Sequence, residues 1–242
     1  MLGLVGFLLV PDARALTTRR ARIIVSLADN ANQGIVPIKS SLGNGQNPSQ
    51  NLYWGALYGM KSYFRRTEKW TLKPEIYGNP NILDAFMMTH SDHADAVITV
   101  EAWDGAKQVD ALKAYLQDLR DNQSKYDFVC FVGHNVLMDV ELTEFEMLRE
   151  TQTLNLTRDR KAAVIACNSA PYFKEFHEGL GVESYVMTRG LMAPEAYVMD
   201  GILKAWLGKQ GANTAKLLAA EKYAEYQKIS ISAASRLFGA KR

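Results

Sequence analysis

Cysteine is scarce in this 242-residue chain, which contains only Cys130 and Cys167. Two cysteines are too few for a disulfide framework, and a zinc site of the Cys-x-x-Cys type is excluded. A charge bias is also lacking, because 28 Lys and Arg residues nearly balance 26 Asp and Glu residues, for a formal charge of +2. Since no charged run stands out either, nucleic acid is not an expected partner.

Long apolar runs are missing as well. No segment beyond the N-terminus reaches the roughly 18 apolar residues of a membrane-spanning helix, so no integral membrane segment is expected. Residues 1–10 are apolar but too short to span a bilayer. Small residues at Ala13 and Ala15 follow, a pattern typical of a secretory cleavage site, although the usual basic start is missing. We expect residues 1–16 to be a signal peptide or a disordered N-terminus, and the protein to be exported; a cytoplasmic location is the alternative.

Strand-like and helix-like segments alternate along residues 22–242, which we interpret as one domain. This alternation predicts an α/β fold with a mainly parallel sheet and helices on both faces, a three-layer sandwich. The predicted strands cover residues 22–28, 82–88, 96–100, 126–132, 161–166 and 184–187. The predicted helices cover residues 51–66, 107–121, 142–154, 173–180, 194–207 and 213–238. Residues 30–50, rich in Asn, Gly, Ser and Pro, predict a long surface loop.

Two of the predicted strands end in residues that carry chemistry. Residues 129–134 read Val-Cys-Phe-Val-Gly-His, and residues 163–167 read Ala-Val-Ile-Ala-Cys. In a parallel sheet, groups that follow the carboxyl ends of strands meet at one edge, where ligands bind. The separation of His134 and Cys167, 167 − 134 = 33 residues, leaves room for one crossover helix. An imidazole beside a thiol can take its proton, so the pair is suited to acyl transfer.

An apolar strand ending in Gly-His, followed by one ending in Ala-Cys, resembles the caspase, legumain and gingipain group of cysteine peptidases, clan CD. The resemblance covers the topology of about residues 22–208, but its specific part is the two motifs. It implies that His134 is the general base and Cys167 the nucleophile of a peptidase that forms an acyl-enzyme on a peptide or protein substrate, with no cofactor. It also implies oxyanion donors at Gly133 or Asn135 and at Cys167. Asn135 stands where the family usually has glycine.

Four charged side chains are further candidates. Glu101 and Asp104, which end the strand before the 107–121 helix, could orient the imidazole of His134. Arg189, which leaves the last strand, could bind an acidic group of the substrate, and Glu195 could bind a basic one. The alternative for Asp104 is a helix N-cap, and for Arg189 and Glu195 a solvated or ion-paired role.

Other functions have weaker support in the sequence. His90 and His93 could ligate a metal, but no third ligand accompanies them, and we predict no metal site. Residues 43–47 resemble a phosphate-binding loop but lack its Gly-Lys-Ser/Thr ending. Two alternatives to the peptidase stay open: a catalytically inactive module of the same fold that binds a peptide or small ligand, and a different cysteine hydrolase, such as an amidase, on a doubly wound sheet.

Overall fold

A computed structural model of the chain describes residues 18–140 and 159–240. Within these residues seven strands form one sheet, in the spatial order β2-β3-β4-β1-β5-β6-β7. The strands, β1 to β7 in chain order, are Arg19–Ser26, Trp70–Pro74, Ile82–His90, His93–Trp103, Phe128–Val132, Lys161–Ile165 and Glu183–Met187. The helices, α1 to α6, are Met60–Arg66, Gln108–Arg120, Ala170–Gly179, Ala196–Leu207, Ala212–Gln227 and Ile231–Phe238.

The five strands β4, β1, β5, β6 and β7 are parallel, and β2 and β3 add an antiparallel edge. Strand β5 lies inside this sheet, and all five of its residues are buried. A strand that is covered on both faces reads as a continuous apolar run, which is why Phe128–Val132 carries no polar side chain.

Two apolar clusters, one on each face of the sheet, hold the layers together. The first packs one face against helices α1, α4, α5 and α6, and the second packs the other face against α2 and α3. Alternate residues of β5 serve the two clusters: Cys130 belongs to the first, and Val129 and Phe131 belong to the second. The three-layer α/β sandwich predicted from the sequence is thereby confirmed.

Two predicted boundaries need correction. Helix α1 begins only at Met60, because residues 51–59 form tight turns in which the Asn51 carbonyl accepts three successive N–H groups. The close approach of Gly55 to the Ser49 carbonyl leaves no room there for a side chain. The predicted helix 213–238 is two helices, since Lys228 adopts a left-handed conformation that ends α5.

Strand β2 was missed by the sequence analysis, because its alternating, half-exposed residues carry little apolar signal. The remaining strands and helices lie where they were predicted, to within a few residues. The predicted helix 142–154 and the predicted N-terminal segment 1–16 lie outside the described residues. Among the described helices, none has the length and apolar character needed to cross a membrane.

Candidate catalytic site

The ends of β5 and β6 carry His134 and Cys167 to the same edge of the sheet. The two strands pair in parallel with a constant offset of 33 residues, from Phe128↔Lys161 to Val132↔Ile165. The ladder extends one step further, because the N–H of Gly133 donates to the carbonyl of Ile165 at 3.2 Å. His134 and Cys167 have the same offset, and each lies two residues beyond the last paired position of its strand.

A side chain also ties the two strand ends together. The Nδ2 of Asn135 donates to the carbonyl of Cys167 at 2.9 Å, while its Oδ1 accepts the N–H of Leu137 at 3.3 Å. Asn135 is fully buried, and its amide thereby fixes the spacing between the histidine loop and the cysteine loop. Asn135, which stands where the resemblance implies glycine, therefore joins the two strand ends by a hydrogen bond.

Gly133 makes the turn into His134 possible. Its φ of +146° is rare for residues with a side chain, and an added Cβ would lie 2.7 Å from the carbonyl oxygen of Ser26. The N–H of Gly133, one of the two alternative oxyanion donors that the resemblance implied beside Cys167, donates to the Ile165 carbonyl in this structure. Within residues 18–140 and 159–240, the N–H groups of Asn135 and Cys167 donate no hydrogen bond.

The imidazole of His134 is held by Asp139. Its Nε2 lies 2.7 Å from Oδ2 of Asp139, and only 6% of the histidine is exposed. Since an ionised carboxylate only accepts, Nε2 is the donor of this hydrogen bond, and the tautomer with its proton on Nε2 has Nδ1 as the acceptor nitrogen. The same Oδ2 accepts the N–H of Gly34 at 2.9 Å, which connects the long 30–50 loop to the histidine.

The two predicted orienting residues have other partners. Glu101 is fully buried in a bidentate ion pair with Arg22 and also accepts from the indole of Trp103 at 2.9 Å. Burial opposes the charge of Arg22, but the pairing with Glu101 and Asp118 outweighs it and raises the pKa of Arg22. The partner of His134 is therefore Asp139, which the sequence analysis missed because it lies five residues beyond the histidine on a short 3₁₀ turn.

Asp104 caps the turn that precedes α2. Its Oδ1 accepts the N–H of Ala106 at 2.9 Å, as the N-cap alternative predicted. Gln46 of the long loop donates to this oxygen and to Oδ2 of Asp29. Because two carboxylates lie against residues 43–47, this loop is unsuited to bind phosphate.

Cys167 lies on the turn between β6 and α3 and is partly exposed. Its sulfur is 3.4 Å from both the backbone N and the backbone O of Met192. The turn is anchored to the neighbouring strand, since Asn168 donates its N–H to the Gly190 carbonyl, and Ser169 and Thr188 exchange hydrogen bonds. Among the described residues, no hydrogen bond joins the sulfur to the imidazole; each has its own partner.

Two tyrosines, Tyr53 and Tyr223, are within electrostatic range of both Cys167 and Glu195. Burial is the largest cause that raises the pKa of Tyr53, and the nearby Cys167 and Glu195 raise it further. For Tyr223, burial again raises the pKa, and Glu195 and Cys167 add to the effect. Cys167 and Glu195 thus both affect the pKa of the same two phenols.

The second predicted substrate-binding residue, Arg189, has a different environment from Glu195. Its guanidinium lies against Gly239 just beyond α6, and it lines a surface pocket of about 200 Å³ with Lys174, Lys216 and Phe238. Glu195 therefore follows, by three residues, the Met192 that contacts the cysteine sulfur, whereas Arg189 lies against the last helix.

The two histidines of the β3–β4 hairpin, His90 and His93, lie at the other end of β4, where that strand begins. Their ring centroids are 5.3 Å apart. In the described part of the chain, no group of three or more His, Cys, Asp or Glu residues is arranged to hold a metal ion.

Comparison with known proteins adds no relative: no protein-family model and no curated protein sequence matches this chain.

Proposed function

We propose that the chain is a cysteine hydrolase of the caspase-like type, which cleaves an amide bond in a peptide through an acyl-enzyme on Cys167. The proposal depends mainly on the shared offset of 33 residues, because His134 and Cys167 each lie two residues beyond the last paired position of two adjacent parallel strands. The partly exposed thiol and the carboxylate-bound imidazole add to it.

Each residue of the site would have a separate role in the reaction. The sulfur of Cys167 would attack the substrate carbonyl carbon, and its proton would pass to Nδ1 of His134. Asp139 would remain ionised and stabilise the imidazolium that forms. The N–H groups of Asn135 and Cys167 would donate to the oxyanion. The imidazolium would then protonate the leaving amine, and water, deprotonated by the same ring, would release the acid product.

One observation favours a second function, the inactive binding module. In the described hydrogen bonds, the sulfur contacts Met192 and not His134. A nucleophile and base can be loosely arranged before substrate binds, so this geometry also suits an enzyme without substrate. The two functions differ in the reactivity of the thiol.

The test is the rate at which iodoacetamide alkylates Cys167, followed by mass spectrometry of peptide digests. We expect fast alkylation near neutral pH and a loss of about 100-fold or more in the His134→Ala variant, the range that a general base contributes. His93→Gln, at the opposite edge of the sheet, is the matched histidine control and should leave the rate unchanged.

Cys130 supplies an internal control for the same experiment. It is fully buried, and burial raises its pKa well above the usual value, so it should react only in denaturant. An alkylation rate of Cys167 that does not depend on His134 would rule out the hydrolase and favour the binding module.

A further inference from the structure

Glu195 is a half-buried carboxylate that pairs with no cation among the described residues. Lys222, for example, pairs with Asp200 and Glu225 instead. A carboxylate removed from water without a positive partner is unfavourable, and burial accordingly raises the pKa of Glu195. Such a group is suited to receive a cation from outside.

The hydrogen bonds of Glu195 leave one oxygen open. Its Oε2 accepts from the hydroxyl of Tyr197 at 2.7 Å and from Nε2 of Gln227 at 3.4 Å. Oε1 accepts no hydrogen bond from the described residues. Tyr197 is itself fully buried and receives a bond of 2.6 Å from Gln227, so the carboxylate is held in place by a rigid pair of donors.

The chain path connects this carboxylate to the thiol. Met192 contacts the sulfur of Cys167, and the next residue, Ala193, donates its N–H to the hydroxyl of Tyr223 at 3.2 Å. Glu195 follows two residues later and donates its own N–H back to the Ala193 carbonyl. The segment from Met192, which contacts the sulfur of Cys167, to Glu195 is therefore only four residues long, and Cys167 and Glu195 both raise the pKa of Tyr53 and of Tyr223.

We infer that Glu195 is the specificity-determining residue of the site, and that its open oxygen binds the lysine or arginine side chain of a substrate residue next to the bond that Cys167 attacks. The inference rests on the proposed function. Glu195 would favour a basic substrate side chain over an acidic or apolar one, because a cation supplies the positive charge and the hydrogen-bond donor that the carboxylate lacks.

The experiment uses three peptidyl acyloxymethyl ketones that differ only in the residue beside the reactive carbon: arginine, leucine or aspartate. The measured quantity is the ratio of second-order alkylation rates at Cys167. We expect the arginine probe to react about 10- to 100-fold faster than the leucine probe, the range of one charge-assisted hydrogen bond, and the aspartate probe to be slowest.

Glu195→Gln retains an oxygen for the Tyr197 hydroxyl but removes the charge, so the arginine-to-leucine ratio should fall to near one. Glu221→Gln, an exposed residue of α5, makes the same change in net charge and should leave the ratio unchanged. A wild-type ratio near one, or a ratio that Glu195→Gln does not lower, would overturn the inference.

Failure of the inference can be told apart from failure of the proposed function. If iodoacetamide alkylates Cys167 rapidly and His134 is required, but the three probes react alike, only the role of Glu195 is rejected. If iodoacetamide reaction at Cys167 is slow and independent of His134, the proposed function is rejected, and the specificity proposal with it.

Discussion

The two cysteines of the chain lie in contrasting environments, and so do His177 and His134. Cys130 and His177 are both fully buried within the layers of the sandwich, and the histidine is held between the hydroxyls of Tyr115 at 2.7 Å and Ser184 at 2.9 Å. Cys167 and His134 lie at the carboxyl edge of the sheet, where the thiol is partly exposed and the imidazole has a carboxylate partner. Identical side chains thus serve packing in one region and are available for chemistry in the other.

A thiol must be accessible to a substrate to act as a nucleophile, and a histidine that acts as a base is helped by a negative group that stabilises its protonated ring. The interior histidine has neutral hydrogen-bond partners, and burial lowers its pKa to about 3. His134 has Asp139, which can stabilise a positive ring. Three measurements test this contrast.

The largest effect concerns the pH dependence of stability. Because the pKa of folded His177 is about 3 and the unfolded value is about 6.5, the unfolded chain binds the proton more tightly. The stability that depends on neutral His177 is therefore complete above pH ~6.5 and is lost as the pH falls toward ~3, at up to roughly 1.4 kcal/mol per pH unit. Urea unfolding between pH 7 and pH 4 measures this slope.

His177→Gln is the variant for this measurement, since it cannot take up a proton. Its free energy of unfolding should fall less steeply with decreasing pH than that of the wild type. Parallel curves for the two proteins would show that the interior histidine does not resist protonation, and the contrast between the two regions would be lost.

The second effect concerns the turn that presents His134. Gly133→Ala forces a side chain into a φ of +146° and against the Ser26 carbonyl, so we expect a loss of about 2–3 kcal/mol in the free energy of unfolding. Gly78→Ala is the matched control, because an added Cβ there meets nothing within 4 Å. If both variants are equally stable in urea titrations, the conformation of Gly133 does not constrain the histidine loop.

The smallest effect concerns the counter-charge. Asp139→Asn keeps the shape of the side chain but removes the charge that stabilises an imidazolium, so alkylation of Cys167 by iodoacetamide should slow by about 10-fold. Asp92→Asn, in the exposed β3–β4 turn, removes the same charge at the opposite edge and serves as the control. An unchanged rate in Asp139→Asn would mean that the carboxylate only anchors the loop.

The fold could be predicted well from the sequence because its strands are buried on both faces, as Phe128–Val132 shows. Strand ends could be predicted too, and with them the candidates His134 and Cys167. Asp139 could not, since a partner on a short turn leaves no periodic signal. The position of the Arg189 guanidinium could not be predicted either. A charged side chain at a strand end can turn in more than one direction, and here it lies against Gly239 beyond α6.

The oxygen of Asp139 that is hydrogen-bonded to the imidazole also accepts the backbone N–H of Gly34. His134 and the long 30–50 loop are therefore hydrogen-bonded to the same atom. A ligand that displaced the loop would leave that oxygen bonded to the imidazole alone. A change in the length of the loop would therefore alter the hydrogen bonding of the imidazole without any change in the sheet.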